Sequence, residues 1–254
     1  MRILRLSNSN DVLDDIPVEL RAAAVAEQVV RDATGEAVET ITRVVWPGPE
    51  LPGIVGVWLE RYQPDVVFLR APAYWVNYES LPLRLERRLG GIGKWPSQIG
   101  LKVGGNPTFA ASRAGRALRK LLVRTLGGDT YFTPREATDY VAAVLRVVLA
   151  SESVIPAVRG PGQAIDSSAT AKGFQRATRR VDAFDRNLAA LCVGLHVPYA
   201  SVRAIGHQAA FLRADEVHDG PEGQRLYGQI EGQLIAQAWA ASGARPHSGR
   251  SISK

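Results

Sequence analysis

The sequence predicts an α/β protein: a three-layer α/β/α arrangement around a mostly parallel, five-stranded sheet. Three observations predict it. Strand-like and helix-like segments alternate along the whole chain, the order that builds parallel sheets with helices on both faces. The run PDVVFLR at 64–70 is apolar and β-branched after a turn residue, the pattern of a strand buried on both sides. A chain of 254 residues with an ordinary globular composition can bury a sizeable core within one domain.

The elements follow in order. RILRL at 2–6 is a strand ended by SNSND, a turn leading to a helix. Residues 18–32 carry apolar side chains at helical spacing. Residues 39–46, ETITRVVW, form a second strand, stopped by PGPELPG, and 54–62 a short helix. After the third strand at 64–70, residues 71–106 hold Pro72, Pro82, Pro96 and Gly90-Gly91 and read as a long loop or small insertion. Asn106-Pro107 starts a helix, Asn as cap and Pro in the first turn, that runs to about 126 and stops at Gly127-Gly128. Thr133-Pro134 starts the next, to about 150. SVIPAV at 153–158 is the fourth strand, followed by the loop RGPGQAIDSSATAKG. A helix over 175–195 leads to VPYASVRA, the fifth strand, and a last helix spans 222–240. Residues 1–242 thus form a single domain, with 71–128 an insertion or basic helical segment and 243–254 a disordered polar tail.

Composition excludes several functions. No apolar stretch is long enough for a transmembrane helix, and MRILRLSNSND has no signal-peptide pattern. A single cysteine, Cys192, excludes an internal disulfide framework and any multi-cysteine zinc site. A cytoplasmic protein with no membrane association is the expectation. The net charge is +6, and between Arg84 and Arg124 lie ten Lys or Arg and one acid, Glu86. Such a cluster is either a solvated helix face or a surface for an anionic partner. No nucleic-acid-binding motif accompanies it, so nucleic acid is not an expected partner.

Ligand sites in open α/β sheets lie beyond the carboxyl ends of the strands. After the first strand come Ser7, Asn8, Ser9, Asn10 and Asp11. A serine on a tight strand-to-helix turn presents its hydroxyl beside backbone N–H groups, yet the same residues are also the preferred helix caps. After the last strand, before the terminal helix, stands Asp215-Glu216-Val217-His218. Three residues apart on a loop, Asp215 can reach the His218 imidazole, and a histidine so oriented can act as general base toward serine.

These two blocks resemble the SGNH (GDSL-like) hydrolases, which carry the nucleophilic serine in a Gly-Asp-Ser turn after the first strand and close with Asp-x-x-His before the final helix. Arg2 to Ser9 is similar to the first block, and Asp215 to His218, with Pro221, Gly223 and Leu226, to the last. Residues 64–69 and VGLHVPYASV at 193–202 look like the family's intervening strands. The resemblance spans nearly the whole chain in the right order. It implies a flavodoxin-like SGNH fold and a serine esterase with Ser9 as nucleophile, His218 as general base and Asp215 as its partner. No metal or organic cofactor is implied, and the substrate would be a small-molecule or glycan ester.

The chain departs from the family pattern in three places. Ser7-Asn8 replaces the Gly-Asp before the serine. The oxyanion glycine is best matched by Gly48, with Gly53 behind it. The Gly-x-Asn-Asp after the third strand is missing; Tyr74 occupies the Asn position, and Asn77 is the nearest asparagine. These changes motivate an alternative: a weak or inactive SGNH-like domain that binds a ligand or partner. Trp75 and Tyr78, with Tyr74, are candidates for an apolar acyl or sugar platform, or for packing of the insertion. His207 is a candidate to line the site. His196 reads as structural, His247 lies in the tail, and Cys192 shares an apolar helix stripe with Leu188, Leu191 and Leu195. The glycines at 90–93 and 160–162 lack a P-loop's lysine and spacing.

Overall fold

A computed structural model describes residues 1–12, 16–80, 83–84, 113–126, 129–164, 170–205, 211–213 and 218–243. Five parallel strands form one sheet in the order β2-β1-β3-β4-β5: β1 (Arg2–Ser7), β2 (Glu39–Val44), β3 (Val66–Arg70), β4 (Ile155–Arg159) and β5 (Tyr199–Ala200). The helices are α1 (Ala22–Thr34), α2 (Leu51–Tyr62), α3 (Tyr74–Asn77), α4 (Arg113–Leu126), α5 (Pro134–Leu149), α6 (Ala171–Leu195) and α7 (Pro221–Ser242). The flavodoxin-like order, with β1 and β3 adjacent, opens a crevice where the chain reverses direction across the sheet.

The period-two pleat sorts the strand residues between two cores. Leu4, Leu6, Val67, Leu69 and Val158 pack under α2, α5 and α6, against Val55, Val144, Leu145, Phe184 and Leu188. Ile3, Val66, Phe68 and Ala157 face Val30 of α1 and Leu234, Ile235, Ala238 and Trp239 of α7. Capping follows the residues: the Thr133 hydroxyl accepts from the Glu136 N–H at 3.2 Å while the Glu136 carboxylate accepts from the Thr133 N–H at 2.8 Å, a capping box that starts α5.

Helices α1 and α7 touch through glycine. A Cβ at Gly228 would stand 2.8 Å from the Ala22 carbonyl oxygen, and one at Gly232 would stand 2.8 Å from that of Ala26. Backbone cannot yield as a flexible side chain can. Gly232→Leu is therefore expected to cost about 3 kcal/mol by overpacking, read as a lower urea midpoint. A midpoint equal to that of the unsubstituted protein would mean that the two helices are free to part.

Several sequence expectations need correction. The helix over 18–32 is a 3-10 turn, Val18–Leu20, followed by α1 from Ala22, because the extended Arg21 interrupts it. α6 begins at Ala171, four residues early, capped by the Thr170 hydroxyl accepting from the Gly173 N–H at 3.0 Å. The fifth strand shrinks to Tyr199–Ala200. The stretch read as loop after β3 contains α3. The proposed start of α4 at Asn106-Pro107 and the tail from 244 lie outside the described residues. No described helix is long and apolar enough to cross a membrane.

Candidate functional site

The two ends of the chain meet at the carboxyl rim of the sheet. Beyond β1 the chain makes a 3-10 turn, Ser9–Val12, stabilised by the Asn8 side chain, whose Oδ1 accepts from the Asn10 N–H at 3.1 Å. This turn exposes Ser9. At the far end, residues 211–213 and 218–220 run antiparallel: the Arg213 N–H donates to the His218 carbonyl at 2.8 Å and the Gly220 N–H to that of Phe211 at 2.8 Å. His218 leaves this ribbon with Nε2 3.1 Å from Ser9 Oγ, across 209 positions of sequence. That separation is within hydrogen-bond reach for a serine and its general base. Asp215 and His207 lie outside the described residues.

Beneath the pair lies a buried ionic layer. On the α1/α7 face the sheet is apolar at its amino end and ionic at its carboxyl end, where Arg5, Arg70 and Arg159 come from the three central strands. Glu231 of α7 accepts from Arg5 Nη2 at 2.6 Å and from Arg159 Nε at 2.7 Å. Asp11 accepts from Arg5 Nε at 2.5 Å and from Arg70 Nη1 at 3.4 Å. Asp219 takes Arg70 Nη2. Arg5 also sits 5.0 Å above the Phe68 ring and Arg159 4.6 Å above that of Tyr227. Three cations meet three anions, so the layer carries no net charge.

Burial alone would raise the Asp11 carboxyl, but the guanidiniums of Arg5 and Arg70 outweigh it and hold the group at about 2, below its ordinary 3.8. A depressed carboxyl contributes stability that is present above its unfolded value and lost as the pH falls through the folded one. The fold should therefore lose on the order of 2 kcal/mol between about pH 4 and pH 2 from this group. Urea midpoints measured across that range should decline, and Asp11→Asn should flatten the decline; an equally steep fall in the variant would assign it to other carboxyls.

The remaining candidates separate. Gly48 is buried in the turn after β2, its carbonyl accepting from the Leu51 N–H at 3.2 Å, whereas Gly53 lies within α2. Asn77 is fully buried at the end of α3, and Tyr74 is half-buried. Trp75 is not a platform residue: it is 2% exposed and packs in the core beside Phe184, since α3 turns it inward. Tyr78 stacks on Tyr74 at 4.6 Å. Both join an aromatic rim that the sequence did not reveal. Trp46, 46% exposed just past β2, meets Tyr131 edge-on at 5.0 Å, Tyr74 at 5.9 Å and Phe132 at 6.0 Å. Burial raises the Tyr131 phenol above its ordinary value, partly offset by hydrogen bonds with Tyr74 and Ser80. His196 is structural, a left-handed cap of α6, and Cys192 is core, its thiol pushed up to about 12 by burial. Among the described residues no cluster of three His, Cys, Asp or Glu is arranged to hold a metal.

Solved structures share this architecture. A psychrotrophic esterase from Pseudoalteromonas matches with a TM-score of 0.54 at 11% identity, over 94% of this chain and 98% of its own. A carbohydrate acetylesterase from Sinorhizobium meliloti gives 0.55 at 11% identity, over 93% and 98%. The aryl esterase of M. smegmatis gives 0.54 at 12% identity, over 93% and 99%. The fold is that of the SGNH hydrolases. No family model matches the sequence, and no curated protein matches it. Each alignment runs nearly end to end in both chains, so the likeness is one of the whole domain.

Proposed function

We propose that this protein is a serine esterase. The observation that carries the reading is the 3.1 Å approach of Ser9 Oγ to His218 Nε2 beyond the carboxyl ends of the strands. Ser9 attacks the ester carbonyl as its proton passes to His218 Nε2. The tetrahedral intermediate collapses, the C–O bond to the alcohol breaks, and His218 returns the proton to the leaving alkoxide. Water then attacks the acyl-enzyme by the same exchange and frees Ser9. Asp215 is proposed as the carboxylate partner of His218, on the sequence spacing of the two. The oxyanion is assigned to the Ser9 N–H, Gly48 and either Tyr74 or Asn77.

Hydrolysis of p-nitrophenyl acetate by the protein and by Ser9→Ala tests this. We expect the substitution to abolish turnover; equal rates would remove Ser9 from the mechanism. The aromatic rim favours esters with an apolar or ring-bearing part, because Trp46 is half open to solvent beside Tyr74 and Tyr131. Trp46→Ala should raise KM for p-nitrophenyl butyrate about 2- to 10-fold with kcat little changed, the value of one aromatic contact. An unchanged KM would place the ester away from this rim.

A further inference from the structure

We propose that Asn10 and Asp219 are positioning residues that latch the histidine loop onto the serine turn, with Arg70 as their anchor; this deepens the esterase reading and rests on it. Asn10 follows Ser9 in sequence and Asp219 follows His218. Asn10 Oδ1 accepts from the Asp219 N–H at 2.9 Å, and the Asn10 carbonyl accepts from Gln224 Nε2 at 2.8 Å. Gln224 is itself fixed, its Oε1 accepting from the Ala22 N–H at 2.8 Å. The Asp219 carboxylate takes Arg70, which also reaches Asp11 of the serine turn. Both halves of the proposed catalytic pair are thus tied one residue away from the reacting atoms.

Water decides why the tie is needed. The Ser9–His218 contact is exposed, so solvent competes for it and its net contribution to holding two loops together is small. Asn10 and Asp219 are each only 7% exposed. Breaking their bond leaves a buried donor or acceptor unsatisfied, which is costly. The geometry at the surface is therefore inherited from the bonds beneath it. None of the latch residues touches the reacting atoms, yet a displacement of about 1 Å at such a site can cost about 10²-fold in rate.

The test uses Asn10→Ala in the full chain, with Asp219→Asn as a second variant that keeps the side-chain shape. We expect Asn10→Ala to lower kcat for p-nitrophenyl acetate about 10- to 100-fold with KM changed less than about threefold, and Asp219→Asn to lower it in the same sense but less. The 15N signals of the His218 ring supply a readout that needs no turnover. In the otherwise native protein, Ser9→Ala should shift them. In the Asn10→Ala background, Ser9→Ala should add little, because the pair has already parted. A variant with lowered thermal stability but unchanged kcat, and with the Ser9→Ala shift intact, would reduce the latch to a structural contact and overturn the proposal. If Asn10→Ala does not fold, the same two measurements on Asp219→Asn decide. If the protein hydrolyses no ester at all, the esterase reading fails, and the ring signals alone still decide whether the latch holds His218 to Ser9.

Discussion

His218→Ala is expected to lower the kcat of ester hydrolysis by about 10²–10⁴-fold, the range that a positioned general base supplies. The fold should survive, because His218 is half-buried and its ribbon is held through the backbone bonds of Arg213 and Gly220. KM should change little, since in the proposed mechanism the imidazole acts on the proton of Ser9 and not on the bound ester. Imidazole added to the buffer should restore part of the lost rate by occupying the vacated space beside Ser9. A variant with native kcat would mean that some other base serves Ser9 or that Ser9 is a helix cap and nothing more. A variant that fails to fold would contradict the account of how the ribbon is held.

Glu231→Ala is the corresponding experiment on stability. Glu231 is completely buried and binds two guanidiniums from different strands, so its removal strands positive charge on Arg5 and Arg159 together. Breaking one side of a buried ion pair typically costs about 3–5 kcal/mol. For a domain of this size, that lowers the melting temperature by roughly 6–20 °C. Glu231→Gln keeps the shape and one acceptor and should cost clearly less. Thermal unfolding of both variants measures this. A glutamine variant as stable as the unsubstituted protein would show that the charge of Glu231 does not hold the layer together.

Much of the architecture was legible in the sequence because both faces of the sheet are covered. VVFLR needs apolar residues on both sides of its pleat, so β3 is visible as an unbroken run, and the Thr133-Pro134 start of α5 is written in its capping residues. The boundaries of α1 and α6 were not legible. The extended backbone of Arg21 and the hydroxyl cap of Thr170 decide them, against the longer helical periodicity around them. β5 is short for a reason outside its own sequence: pairing stops where the edge runs out, at Arg159↔Ala200.

The site was legible in part. Ser9 and His218 could be paired because each sits at a recognisable junction, one after the first strand and one before the last helix. The ionic layer was missed, although it left a signal. RILRL, VVFLR and IPAVR each place an arginine among apolar residues of a central strand, and an arginine inside a buried strand demands a buried acid. Glu231 supplies it, in the same stripe of α7 as Tyr227 and Ile235, where a carboxylate has no business unless a cation faces it. The aromatic rim could not be read, because Trp46 follows β2, Tyr74 starts α3 and Tyr131 precedes α5, and only the fold brings them together. Of the two roles open to Trp75, platform or packing, the fold selects packing: one residue beside Tyr74 in sequence, it points into the core.

The proposed mechanism makes Ser9 a nucleophile activated by His218. Its most direct test is covalent: incubate the protein with a fluorophosphonate and map the adduct by mass spectrometry. We expect a single phosphonyl group on Ser9, absent from Ser9→Ala and formed far more slowly in His218→Ala. An unlabelled Ser9, or labelling at the same rate without His218, would contradict it.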